Sequence, residues 1–251
     1  MQIIPEIVSG VKEIYSDESI YIVAKEAQIP SVINKSSDKG TVVNFIAWKY
    51  SEKLKELFDR GITDLGLLNR LDNFTSGLMF GAFNIECLEK LRTTMLDGNI
   101  QKYYLAIVYG CLEKGIISYP LYKKTSKKMG VWANKRQTEA YKLINAETYY
   151  ENICYFDDYS VLKVRIHKGA RHQIRAHLDY IKHSIVGDPL YKKIFKENEV
   201  LTRKGQMLHA FGLDFKHPVT NKPLSFIADC PSDFSEFLLM HGVKKFNYGH
   251  T

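Results

Sequence analysis

What this sequence lacks narrows it first. It has four cysteines, Cys87, Cys111, Cys154 and Cys230, and no two form a C-x-x-C pair. That pattern indicates neither a zinc ribbon nor a thioredoxin-like motif. Scattered single cysteines in a chain of this length fit the reduced core thiols of a cytoplasmic protein. The opening residues, Met1-Gln2-Ile3-Ile4-Pro5, have no basic segment leading into a long apolar run, so no signal peptide is expected. No stretch reaches the apolar length that a bilayer crossing needs, so no membrane role is expected. There is no internal repeat, glycine-rich phosphate loop or low-complexity linker. His167, His172 and His177 recur every five residues, whereas metal-binding pairs on a helix are spaced by four, so no metal site is expected.

What remains is ordinary globular material. The 251 residues suffice for one large domain or two small ones, and 45% hydrophobic against 25% charged residues is a usual balance. Lysine and arginine total 35 against 28 acidic residues, a net charge of +7. That excess permits a polyanionic partner without diagnosing one.

The informative stretch is Asn69-Arg70-Leu71-Asp72-Asn73-Phe74-Thr75-Ser76-Gly77. It packs a carboxylate, a guanidinium, two hydroxyls and a terminal glycine between two apolar runs, Leu65 to Leu68 and Leu78 to Phe80. Turn residues between apolar runs read as a loop held on strands, a common way to present a side chain accurately. Taken alone, Asp72 reads better as part of an Asx-turn with Arg70 as its solvated neighbour, because Arg-Leu-Asp is a common tripeptide.

Along the chain, Ile14-Tyr15 and Ile20 to Ala24 flank Ser16-Asp17-Glu18-Ser19 and predict a hairpin. Thr41 predicts a helix cap, with a helix running to about Arg60. Its Ile46, Tyr50, Leu54, Leu57 and Phe58 face inward, Trp48 belongs to the core, and Gly61 is the stop. Asn84 caps a second helix with Ile85, Leu88, Leu91 and Met95 inward. Residues 101–110 predict a strand with Lys102, Tyr104 and Ala106 on one face, where Tyr104 by periodicity alone is a packed sheet tyrosine.

Lys123, Lys124, Lys127, Lys128, Lys135 and Arg136, interleaved with Tyr122, Met129 and Trp132, read equally as a solvated loop and as a phosphate-contacting one. A strand from Thr138 to Ile144 follows. Residues 159–166 alternate as a strand, and a helix begins near Arg171 or His172. On that helix Arg171 and Arg175 sit one turn apart, with Asp179 a turn beyond as an ordinary partner for Arg175. Two strands around a turn at 218–223 and a short helix over 232–241 close the chain. Strands and helices without a regular βαβ rhythm predict an α+β fold.

Four phrases in this order resemble the RluA family of pseudouridine synthases. They are Lys25 and Pro30 after the hairpin, Arg70-Leu71-Asp72 with Thr75-Ser76-Gly77, Lys102-x-Tyr104-x-Ala106, and His172 to Leu178 followed by Gly187-Asp188-Pro189-Leu190-Tyr191. Two positions depart from the family pattern. Asn69 stands where the family mostly has histidine, and Ala170-Arg171 replaces an arginine-threonine pair.

The resemblance covers nearly the whole chain and implies one pseudouridine synthase catalytic domain over residues 1–251. Its fold would be a mainly antiparallel mixed sheet with flanking helices and a central cleft, without the small N-terminal RNA-binding domain of some relatives. It implies a monomer that needs no cofactor and isomerises uridine in ribosomal or transfer RNA. Asp72 would be the catalytic carboxylate. Arg70, Leu71, Tyr104, Arg171 and Arg175 would bind substrate, with Tyr104 stacking near the target base and Arg175 pairing with Asp72. The rival reading is a catalytically silent RNA-binding relative that aids RNA folding or assembly.

Overall fold

The computed structural model describes residues 3–33, 38–133, 141–191, 201–202 and 204–244. The predicted hairpin forms from β1 (Val11–Ser16) and β2 (Ile20–Lys25). Asp17 closes its turn by accepting the N–H groups of Ser19 and Ile20 at 2.7 and 2.9 Å. Thr41 caps α1 (Val42–Lys49) in a reciprocal capping box with Asn44.

The helix expected to reach Arg60 is broken. Tyr50 leaves helical geometry at φ −125°, and a separate short α2 covers Lys55–Asp59. Packing overrides helix propensity at this point. The Tyr50 hydroxyl donates to Glu13 at 2.6 Å, and its ring packs against Tyr21 and Phe83 at 5.6 and 5.0 Å. The break keeps Leu54 and Leu57 fully buried but leaves Phe58 39% exposed, and Trp48 is 41% exposed, so neither aromatic belongs to the core. Gly61 ends α2 at φ +67°, as its position suggested.

β3 (Ser76–Ala82) follows the Asn69–Gly77 loop, and Asn84 caps α3 (Ile85–Leu96) by accepting the Cys87 N–H at 2.9 Å. Next come β4 (Gln101–Tyr109), β5 (Lys114–Ile117), β6 (Leu121–Lys123), β7 (Met129–Val131), β8 (Thr148–Phe156) and β9 (Tyr159–Ile166). Of the strand expected over 138–144, residues 138–140 lie outside the described residues, and Ile144 makes only an isolated bridge to Leu121. α4 spans Gln173–Tyr180, so Arg171 precedes the helix rather than lying on it. β10 (Leu208–Lys216), β11 (Pro223–Ile227) and α5 (Ser232–Met240) close the chain.

The chain divides into two compact units, residues 1–100 with 210–229, and residues 101–209 with 230–251. In the first, the strand order is β1-β2-β3-β10, with β11 on β10. The antiparallel pairs β1–β2, β2–β3 and β10–β11 have defined registers. Ile22, Leu78, Phe80 and Phe215 of these strands pack with Leu88 and Leu91 of α3. In the second, β4-β9-β8-β5 is antiparallel at every pairing, and β6–β7 is a separate hairpin. The architecture is α+β with a largely antiparallel sheet. No helix among the described residues is long and apolar enough to cross a membrane.

Candidate active site

Three side chains fasten the Asn69–Gly77 loop within the first unit. Buried Lys25 donates through Nζ to the carbonyls of Thr75, Asn73 and Glu26, the latter two at 3.2 Å. Ser31 Oγ donates to the Leu71 carbonyl at 2.7 Å and accepts the Leu71 N–H at 3.0 Å. Asn69, the departure from the family pattern, accepts the Phe80 N–H at 2.9 Å and donates to the Leu78 carbonyl at 3.3 Å. Its amide therefore copies a strand's donor–acceptor pair against β3. Upstream of the loop, Leu67 makes an isolated bridge to Gly81, flanked by main-chain bonds from Leu68 to Phe80 at 2.9 Å and from Ala82 to Gly66 at 3.2 Å, so the chain pairs with β3 there without forming a named strand.

Within the loop the Asp72 carbonyl accepts the Thr75 N–H at 2.9 Å, a main-chain turn across the carboxylate-bearing residue. Arg70 is exposed, Leu71 buried and Asp72 half-buried. Gly77 sits at φ +117°, and a Cβ there would lie 2.1 Å from the Ala210 carbonyl oxygen, so only glycine fits.

The second unit carries Tyr104, Arg171 and Arg175. Tyr104 is buried in β4 opposite Val164 of β9. Lys102, two residues earlier on the same face, is also buried, and desolvation pushes its pKa down to about 8. Its Nζ lies under the turn at Gly169, where any Cβ would be 3.1 Å away.

Arg175 is buried on α4 and grips Asp188 at two points, Nε to Oδ2 at 2.6 Å and Nη2 to Oδ1 at 2.8 Å. The same Oδ1 accepts the N–H groups of Leu190 and Tyr191 at 2.8 and 3.0 Å. The Arg175 guanidinium also lies 5.2 Å from the Tyr191 ring centre. Asp179, the partner expected for Arg175 on the helix, accepts from Ser184 at 2.7 Å.

Tyr191 extends this cluster to the basic hairpin. Its hydroxyl accepts the Met129 N–H at 2.8 Å, and Lys128 Nζ lies 4.5 Å from its ring centre. Arg171 donates to the carbonyls of Ser126 and Lys127 at 3.0 and 3.3 Å, bracing the turn that exposes Lys123, Lys124 and Lys127. Lys135 and Arg136 lie outside the described residues. Behind α4, Gln173 donates to Thr148 Oγ1 at 3.2 Å, Thr148 bonds His177 Nδ1 at 2.8 Å, and His177 Nε2 meets the Tyr119 carbonyl at 3.0 Å. A carbonyl can only accept, so Nε2 carries the proton and Nδ1 accepts from Thr148. Burial holds this imidazole below the usual histidine pKa.

The sequence marked Asp188 and Tyr191 as part of the Gly187–Tyr191 phrase but not their anchoring roles, and it did not mark Ser31 at all. For Asp188 a signal existed, since aspartate in a turn before proline favours capture of the N–H groups just ahead. Ser31 and Tyr191 act through contacts distant in sequence, which no local pattern marks.

A sequence profile described as RNA pseudouridylate synthase matches residues 19–180. The chain belongs to that family. It is an isomerase that converts uridine in RNA to pseudouridine. It is 30% identical over 240 residues to Ribosomal large subunit pseudouridine synthase D of Buchnera aphidicola subsp. Schizaphis graminum, covering 90% of this chain and 71% of that one. It is 32% identical over 236 residues to an RNA pseudouridine synthase of Chlorobaculum parvum, covering 88% and 71%. The fold matches the solved human RNA Pseudouridylate Synthase Domain Containing 4 at a TM-score of 0.68, with 18% identity over 95% of this chain and 94% of that one. A pseudouridine synthase must break the bond from N1 to ribose, turn the uracil, and join C5 to the same carbon. C5 gives up a proton and N1 gains one, so atoms balance without a co-substrate.

Proposed function

We propose that this synthase acts on ribosomal RNA and that Asp72 is the carboxylate working at the ribose of the target uridine. The substrate assignment rests on the relatives named as ribosomal large subunit synthases. The catalytic assignment rests on one observation above all. The Asp72 loop is fixed at both flanks by Lys25, Ser31 and Asn69, which is the preorganisation a catalytic carboxylate requires.

A uracil inside a helix is out of reach, so the base must be everted and held by stacking and edge contacts. Tyr104 takes the stacking role in this reading, and Arg70 and Leu71 contact the substrate beside Asp72. Arg175 binds substrate in this reading. Asp188 contributes by holding the Arg175 guanidinium in one orientation. Lys123, Lys124 and Lys127 on the β6–β7 turn contact phosphates, and Arg171 acts by bracing that turn.

Pseudouridine mapping in cells with and without the gene tests the substrate assignment. Sites that vanish from large-subunit ribosomal RNA are the expected result. Sites that vanish only from transfer RNA would overturn it.

A further inference from the structure

The sheet of the second unit has a face that the catalytic reading does not use. Side chains alternate across a strand, so Lys102 and Tyr104 point one way from β4, and Tyr103 the other. On that other face the registers align Tyr103, Arg165 and Tyr149 in one row across β4, β9 and β8. The next row places Lys163, Glu151 and Lys114 across β9, β8 and β5. These six residues line an open groove of about 600 Å³.

The chemistry of the two rows is cationic and flat. The Arg165 guanidinium lies 4.6 Å from the Tyr149 ring centre, and Lys163 Nζ lies 5.7 Å from that of Tyr103. Two carboxylates moderate the charge: Glu151 sits 3.7 Å from Lys163, and Glu147 accepts the Tyr149 hydroxyl at 3.0 Å. Among the described residues, neither Arg165 nor Lys114 has a carboxylate within ion-pair distance. A guanidinium backed by a tyrosine offers a plane on which a base can stack, and a lysine in the next row, two strands away, offers a phosphate contact.

We infer that this groove binds a single-stranded stretch of RNA flanking the reactive uridine, through stacking on Arg165–Tyr149 and phosphate contact at Lys114. The inference rests on RNA being the substrate and adds a second point of grip to it. Adjacent strands stand about 4.8 Å apart, so the span from Tyr103 to Lys114 suits two or three nucleotides.

The test is fluorescence anisotropy with 5′-labelled dodeca-adenylate RNA, which contains no uridine to react, at two salt concentrations. The wild type should bind, and Arg165→Ala should weaken binding roughly fivefold or more, as loss of one stacking contact does. Arg165→Lys keeps the charge without the plane and should fall between. Lys114→Ala should lower the slope of log affinity against log salt by about 0.7. Should Arg165→Ala fail to fold, exposed Lys114 still decides the matter. Wild-type binding in all three variants overturns the groove, even if pseudouridine still forms. Displacement by an equal concentration of oligoglutamate also overturns it, by showing a general polyanion face. Conversely, a protein that makes no pseudouridine yet binds this RNA in a groove-sensitive way loses the catalytic reading and keeps the groove.

Discussion

Arg175 and Asp188 form a buried two-point ion pair, Nε to Oδ2 at 2.6 Å and Nη2 to Oδ1 at 2.8 Å, with side-chain exposures of 4% and 0%. Such a pair is dangerous to break, because a lone buried charge has lost its hydration without compensation. Asp188→Ala should therefore cost roughly 3–5 kcal/mol and also release the N–H groups of Leu190 and Tyr191. Urea unfolding measures this. A loss under about 1 kcal/mol, in the range of exposed pairs, would contradict it.

Gly77 gives the second prediction. Its positive φ, and the Ala210 carbonyl oxygen that an added Cβ would meet at 2.1 Å, leave no room for a methyl group. Gly77→Ala should destabilise by about 2 kcal/mol or more, because backbone rather than a flexible side chain must move. An unchanged unfolding midpoint would show that β3 and β10 can separate there at no cost.

Lys102 predicts an unusual stability profile. Its folded pKa, about 8, lies below the ordinary lysine value. Between about 8 and 10.5 the unfolded chain therefore binds more protons, and stability rises with pH across that window. At pH 7 the buried ammonium costs on the order of 3 kcal/mol at most, by the conversion of a pKa shift to free energy. Lys102→Met should stabilise the protein at pH 7, with the advantage shrinking towards pH 10. Urea midpoints for both proteins across that range check it, and a constant difference would refute the assignment.

His177 predicts the acid side. Its folded pKa is lowered by burial, and its Nδ1 accepts from Thr148, so protonation must break that hydrogen bond. The unfolded chain binds the proton first as pH falls through the ordinary histidine range, and stability is lost there. His177→Gln, which can still donate to the Tyr119 carbonyl, should give a flatter profile between pH 7 and 5. Equal acid sensitivity in both proteins would assign the effect elsewhere.

Local signals told most of the fold. The Asp17 hairpin, the Thr41 and Asn84 caps and the alternation in β4 and β9 each rest on residues within a few positions of one another, so sequence shows them. The break at Tyr50 was hidden because its cause is Glu13, 37 residues away. Trp48 was misread for a related reason, since an aromatic in a helix reads as core until the packed face is known. At the site, the loop bearing Asp72 was legible as a phrase. The anchoring by Lys25 and Ser31 was not, because those side chains act from 48 and 40 residues away. The Asn69 departure proved structural, because an amide serves β3 as donor and acceptor together.

The central claim is that Asp72 performs the chemistry, and release of tritium from ribosomal RNA labelled at uridine C5 tests it most directly. Joining C5 to ribose expels that hydrogen, so each pseudouridine made releases one tritium to water. Wild-type protein should release it. Asp72→Asn, with an unchanged urea midpoint, should release it at least about a thousandfold more slowly. Release by Asp72→Asn within tenfold of wild type would contradict the account.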